Sequence, residues 1–175
     1  MRKFILFIVI LAGLTHYLAE RGVASAQAVR TQACALPFRS FATAVRTQCS
    51  KAGAGDDILE IRSALGRLTR AGVLEPGELD DVEIAWCPLD EATGMAPDAG
   101  HIYLHPDLRG HPRQTAITLA HEAFHIRQYR MAEPGEFECA YSLAFVACRG
   151  CQDRDHPMER AAFEFEDRAR RMLGR

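Results

Sequence analysis

The five residues His121-Glu122-Ala123-Phe124-His125 decide how this chain is read. They fit the pattern HExxH. On an α-helix, positions four apart differ by about 40° of rotation and about 6 Å of rise. His121 and His125 therefore leave one face of a helix and reach the same point in space. Two neutral imidazoles aimed at one point are metal ligands, and zinc suits them because it takes nitrogen in a tetrahedral shell. Glu122 lies roughly 60° round the helix from His125, so its carboxylate comes beside such an ion and not onto it. Zinc lowers the pKa of a water it holds to about 7, and a carboxylate so placed can take the proton. That pairing is suited to hydrolysis of amide bonds.

The alternative is an amphipathic surface helix with two solvated histidines and a solvated glutamate. The neighbours oppose it. Ile117, Leu119, Ala120, Ala123, Phe124 and Ile126 surround the motif on most sides. Such a helix is buried, and polar groups buried together need partners or an ion.

The front of the chain bears on the compartment. Met1-Arg2-Lys3 is basic, Phe4 to Leu14 is almost wholly apolar, and Ala24-Ser25-Ala26 is a small-x-small cleavage pattern. Residues 1–26 are expected to be a secretory signal peptide cleaved before Gln27. The alternative is an uncleaved anchor, but the apolar run falls short of the ~20 residues that span a bilayer. His16, Glu20 and Arg21 also interrupt it. The protein is therefore expected to be exported, with no stable membrane insertion after cleavage.

Cysteine usage agrees. Cys34, Cys49, Cys87, Cys139, Cys148 and Cys151 make an even set in an exported chain, which implies disulfides. Local pairs suggest themselves: Cys34 with Cys49, and Cys139 with Cys148 or Cys151. Cys148-Arg149-Gly150-Cys151 also fits a redox motif or half a zinc knuckle. No second CxxC completes a knuckle and no βαβ pattern surrounds it, so a structural disulfide is the stronger reading.

Residues 1–26 carry three of the 21 basic and one of the 23 acidic residues, so the remainder has a formal charge of −4. The one basic cluster, Arg168, Arg170, Arg171 and Arg175, reads as a solvated helix end set against the helix dipole and not as a nucleic-acid site. Residues 27–55 form a lead-in with thin apolar content, in which Phe38, Phe41 and Val45 suit a short helix. Residues 56–175 form one domain.

Within that domain Asp56 or Asp57 caps a helix running to about Ala71, with Ile58, Ile61, Leu65 and Leu68 as its buried stripe and Gly72 as its stop. Val82 to Trp86 alternates as a strand, and so does His101 to His105. Residues 87–100 between them hold two prolines and two glycines and read as a loop. The two strands suggest a small antiparallel sheet. His101, Tyr103 and His105 share one face of the second strand, and that face is expected to meet solvent. Pro112 opens the motif helix, which runs to about Met131. Glu136 to Cys148 is a second helix, whose Phe137, Leu143, Phe145 and Val146 are expected to pack behind the first. Pro157 opens a third, to about Leu173.

Catalytic zinc normally has three protein ligands and one open position. Downstream candidates for the third are Asp153, Asp155, His156, Glu159, Glu164 and Glu166. Glu159, Ala162, Phe163 and Glu166 share a face of the last helix. Glu159 and Glu166 stand about 10.5 Å apart along it, too far to serve one ion.

His121 to His125 followed by Glu159-Arg160-Ala161-Ala162 resembles the gluzincin pattern, HExxH followed by ExxA or ExxS. The stretches His121 to Gln128 and His156 to Phe163 are similar to small bacterial zincin-like domains, many of them without an assigned substrate. The resemblance covers about residues 80–170. It implies Glu159 as third zinc ligand and a strand beside the motif helix that binds extended substrate, a place that Ile102 to Leu104 fits in sequence. The metzincin extension is missing, because Gln128 stands where it needs glycine and Met131 where it needs histidine.

The expectation is an α+β zincin-like protein with a small antiparallel sheet packed on the motif helix and further helices. Its function would be that of an exported metallopeptidase acting on a peptide or protein substrate, with Zn2+ as cofactor. His121, His125 and Glu159 would be the metal ligands and Glu122 the catalytic general base. Tyr103, Tyr141 and His156 are candidates for oxyanion stabilisation. The alternative is a zinc-holding binding or assembly module without turnover, for which Glu122 has no use.

Overall fold

The structure is a computed structural model that describes residues 31, 34–50, 58–90 and 92–174. Residues 1–26, with the expected signal peptide, and the capping positions Asp56 and Asp57 lie outside the described residues. Helix α1 is described over residues 34–50. Then come α2 (Ile58–Arg70), β1 (Glu83–Trp86), β2 (Gly94–Asp98), β3 (His101–Leu104), a 3-10 turn (Pro106–Leu108), α3 (Pro112–Met131), α4 (Glu136–Ala147) and α5 (Pro157–Met172). This is an α+β fold with a small three-stranded sheet.

The main core lies on one face of the sheet. Ile102, Leu104 and Ala96 meet Ala116, Leu119, Ala120, Ala123 and Ile126 of α3 there, with Ile61, Ala64 and Leu68 of α2 and Phe165 and Ala169 of α5. Alternation along β3 sends Ile102 and Leu104 into this core and Tyr103 to the other face. The α2 stripe falls at helical spacing as expected, except that Ile58 is exposed. Gly72 takes a φ of 68°, and Val73 N–H bonds Leu68 C=O at 2.9 Å, closing the helix as a glycine C-cap does.

The sheet is mixed, not purely antiparallel. Its order is β1-β3-β2, with β1 parallel to β3 and β2 antiparallel to it. The extra strand, β2, lies inside the stretch expected to be a loop. Its sequence, Gly-Met-Ala-Pro-Asp, hides it. Proline suits only an edge strand, and glycine marks a close approach of another group. A turn at Asp98–Gly100, where Gly100 N–H bonds the Asp98 carboxylate at 2.8 Å, folds β3 back on β2. With β2 inserted, β1 and β3 run parallel, and β3 becomes the central strand.

The other face of the sheet is covered by α1. Val45 and Cys49 pack with Ala85, Cys87, Leu89 and Tyr103. The face of Tyr103, expected to be solvated, is thus largely buried at that residue, while His101 turns to Asp98 at 2.7 Å. All six cysteines pair, as Cys34–Cys139, Cys49–Cys87 and Cys148–Cys151. The expected Cys34–Cys49 bridge does not form, nor does Cys139 pair with Cys148 or Cys151. Cys34 and Cys49 stand at opposite ends of one helix, about 22 Å apart by its rise. Each instead ties α1 to the body of the protein.

Helix α4 also departs from expectation. Phe137 is its one buried residue, while Leu143 and Val146 are 62% and 74% exposed. Val146 lies about 180° round the helix from Phe137, so both cannot face the core. The three disulfides fit an oxidising, exported environment. Among the described residues no helix is long and apolar enough to cross a membrane.

Candidate metal centre

Helices α3 and α5 build the site. His121 and His125 project from one side of α3, and Glu159 comes from the first turn of α5 to meet them. Small Ala162, fully buried, lets the two helices come close. His121 Nε2 lies 3.2 Å from His125 Nε2 and 3.2 Å from Glu159 Oε2, and His125 Nε2 lies 3.4 Å from that oxygen. All three residues are buried, and together they can hold a metal ion.

The far nitrogens bear on what these atoms can do. His121 Nδ1 meets Glu166 Oε2 at 3.2 Å. His125 Nδ1 meets Gln128 Oε1 at 2.7 Å, and Gln128 Nε2 in turn donates to Met158 C=O at 3.3 Å. Both Nδ1 atoms face acceptors, and with a proton on each Nδ1 both Nε2 atoms are left to present lone pairs to an ion. In that state two imidazole lone pairs and a carboxylate oxygen converge with no donor between them. Such a group needs a cation. Donor atoms in a tetrahedral shell with bonds of about 2.0–2.1 Å stand about 3.3 Å apart, which the observed triangle matches.

Charge points the same way. Burial opposes charging the His121 imidazole, but its bonds to Glu159 and Glu166 and the nearby Glu122 outweigh that and push its pKa up to about 10. Burial raises Glu159, yet His121, His125 and Tyr141 outweigh it and hold its carboxyl well below the usual range. Glu166 is opposed by burial and held low by His121 and Arg170. Three carboxylates surround two imidazoles, and His121 takes a proton where no metal ion supplies positive charge.

Glu122 stands outside the triangle. Burial raises its pKa above the ordinary carboxylate value, against the pull of His121 and His125. The Ala96 backbone of β2 lies beside this carboxylate and pulls the same way as the histidines. Gly94 shows how near β2 runs: a Cβ there would come within 2.7 Å of Glu122 Oε1 and 2.6 Å of Thr118 Cγ2. Among the described residues the outer strand beside the motif helix is therefore β2, and Ile102 to Leu104 are interior to the sheet.

Of the three oxyanion candidates, one reaches the centre. The Tyr141 hydroxyl donates to Glu159 Oε1 at 2.6 Å, the oxygen turned away from the histidines. Burial, then the Glu159 charge, pushes the phenol pKa far up, so it stays a neutral donor. Tyr103 lies on the opposite face of the sheet. His156 caps α5, accepting the Met158 N–H at 3.2 Å and donating to Tyr141 C=O at 3.2 Å, so both its nitrogens are committed to backbone. Asp153 and Asp155 lie exposed in the loop before α5, and Glu164 is exposed on the helix.

Sequence reasoning missed three supporting residues: Glu166, Gln128 and Tyr141 in its actual role. Gln128, three residues after His125, was the one with a readable signal, since i and i+3 neighbours meet on a helix. Glu166 and Tyr141 depend on how α4 and α5 dock. Comparison with family models, curated proteins and solved structures finds no match for this chain.

Proposed function

We propose that this protein is an exported zinc metallopeptidase of gluzincin type, with His121, His125 and Glu159 holding the ion and Glu122 acting as general base. The observation that carries the proposal is the division of labour among buried groups. Three possible ligand atoms converge at one point, while the fourth group, Glu122, is buried beside them against Gly94 of β2. A purely structural site has no need of that fourth residue, and zinc rather than a harder ion suits two imidazoles and a carboxylate.

Bound zinc would supply Lewis acidity, polarising a substrate carbonyl and acidifying a water. The chain's own residues do the rest. Burial keeps Glu122 more basic than an ordinary carboxylate, so it can take a proton from the attacking water and return it to the leaving amine. The Gln128 and Glu166 bonds fix the two imidazole rings.

The test is zinc per chain by elemental analysis, beside cleavage of a peptide library. Glu122→Gln should keep its zinc and lose about 10²–10⁴-fold in hydrolysis, whereas His121→Ala should lose both. A Glu122→Gln protein that cleaves as well as the parent removes this mechanism. A parent with one zinc and no cleavage puts the binding or assembly module ahead.

A further inference from the structure

The lead-in helix α1 lies outside the stretch that carries the motif, yet the structure connects it to the metal ligands. Glu159 has two carboxylate oxygens, and only Oε2 faces the histidines. Its Oε1 is taken by the Tyr141 hydroxyl at 2.6 Å. That hydroxyl therefore fixes which oxygen is offered and the rotation of the carboxylate.

Tyr141 needs its own support, because it sits on α4, whose one buried side chain is Phe137. Three contacts place it. The His156 ring lies against the Tyr141 ring at 4.2 Å, and His156 Nε2 bonds Tyr141 C=O. Phe38 of α1 meets the Tyr141 ring edge-on at 5.1 Å. Cys139, two residues before Tyr141, is bridged to Cys34, one helical turn before Phe38. Arg39 adds an ion pair with Glu138 at 3.3 Å. Helix α1 is fixed at its far end by Cys49–Cys87, so it presents Phe38 from a rigid seat.

We propose that Tyr141 is a positioning residue for Glu159, and that α1 holds it in place through Phe38 and the Cys34–Cys139 bridge. Metal affinity then depends on a helix that contributes no ligand. This rests on the metal reading above, and the experiment separates the two.

Zinc affinity of the full-length exported protein is measured by competition with a chromophoric chelator. The variants are Tyr141→Phe, the pair Cys34→Ser with Cys139→Ser, the combination of all three substitutions, and Phe38→Ala. Tyr141→Phe keeps the ring and its packing, so the melting temperature of the metal-free protein should stay near the parent's. Its zinc affinity should nevertheless fall about 10–100-fold, as for other groups that support a ligand. The cysteine pair and Phe38→Ala should lose affinity too. The combination should lose no more than Tyr141→Phe alone, because all act through one hydrogen bond. Losses that multiply, or a cysteine pair and Phe38→Ala that both bind zinc like the parent, overturn the inference. If the cysteine pair does not fold, Phe38→Ala, which keeps every disulfide, decides alone. A parent that binds no zinc overturns the metal reading and this inference with it.

Discussion

Helices α3 and α4 follow one another in the chain and have opposite fates. Helix α4 reads Glu-Phe-Glu-Cys-Ala-Tyr-Ser-Leu-Ala-Phe-Val-Ala and is the more apolar, yet Phe137 is its one buried residue. Helix α3 carries histidine, glutamate, arginine and glutamine, yet eleven of its twenty residues are buried. Burial here follows position and not composition. Helix α3 lies between the sheet, α2 and α5, so nearly every direction is covered. Helix α4 touches the body along one stripe, where Phe137 and Tyr141 meet Phe38 and Tyr129. Polar groups survive inside α3 because each faces another polar group: among the described residues no buried side-chain nitrogen or oxygen is without a polar atom within hydrogen-bond distance.

The sharpest way to break the contrast is at Glu159, where α5 completes what α3 begins. Glu159→Ala should cost more metal affinity than any change to a supporting residue, since it removes one ligand of three. Unchanged metal content in Glu159→Ala, with loss in Glu166→Ala, would move the third ligand to Glu166. Next come the two kinds of leucine. Leu119→Ala in α3 should destabilise the protein by about 2–5 kcal/mol, while Leu143→Ser in α4 should stay within about 0.5 kcal/mol. Equal costs in denaturant unfolding would show that α4 is covered in solution.

A smaller effect is expected at Glu166, which meets His121 Nδ1 and stands outside the triangle of His121, His125 and Glu159. Glu166→Gln should weaken metal binding about 10–100-fold without abolishing it. Another change is graded with pH. Without metal, His121 keeps its proton until pH about 10, so an incoming ion must displace it. Affinity should therefore rise about tenfold per pH unit from pH 7 to 9. The stability sign is the reverse for the metal-free protein. A histidine pKa raised above its unfolded value of about 6.5 gives stability that is complete below that pH. That stability is lost as pH climbs toward about 10. Thermal melts of metal-free protein that do not fall between pH 7 and 9 would show that His121 is neutral there.

Much was written into local sequence. HExxH placed two ligand groups and a carboxylate on one helix because helical spacing is fixed by backbone geometry. The spans of α2, α3 and α5 followed from Gly72, Pro112, Pro157 and the periodicity between them, and the even cysteine count matched full pairing. What only the tertiary structure decided involves partners distant in sequence. Strand β2 is invisible in Gly-Met-Ala-Pro-Asp because its role, an edge passing close to Glu122, is set by α3. Cys34 pairs with Cys139, 105 residues away, because the helix between Cys34 and Cys49 holds those two apart. Glu166 and Tyr141 meet His121 and Glu159 because α4 and α5 dock where they do, and no local periodicity encodes that docking. Local geometry names the groups that can meet at a point, and packing between layers chooses the ones that hold them there.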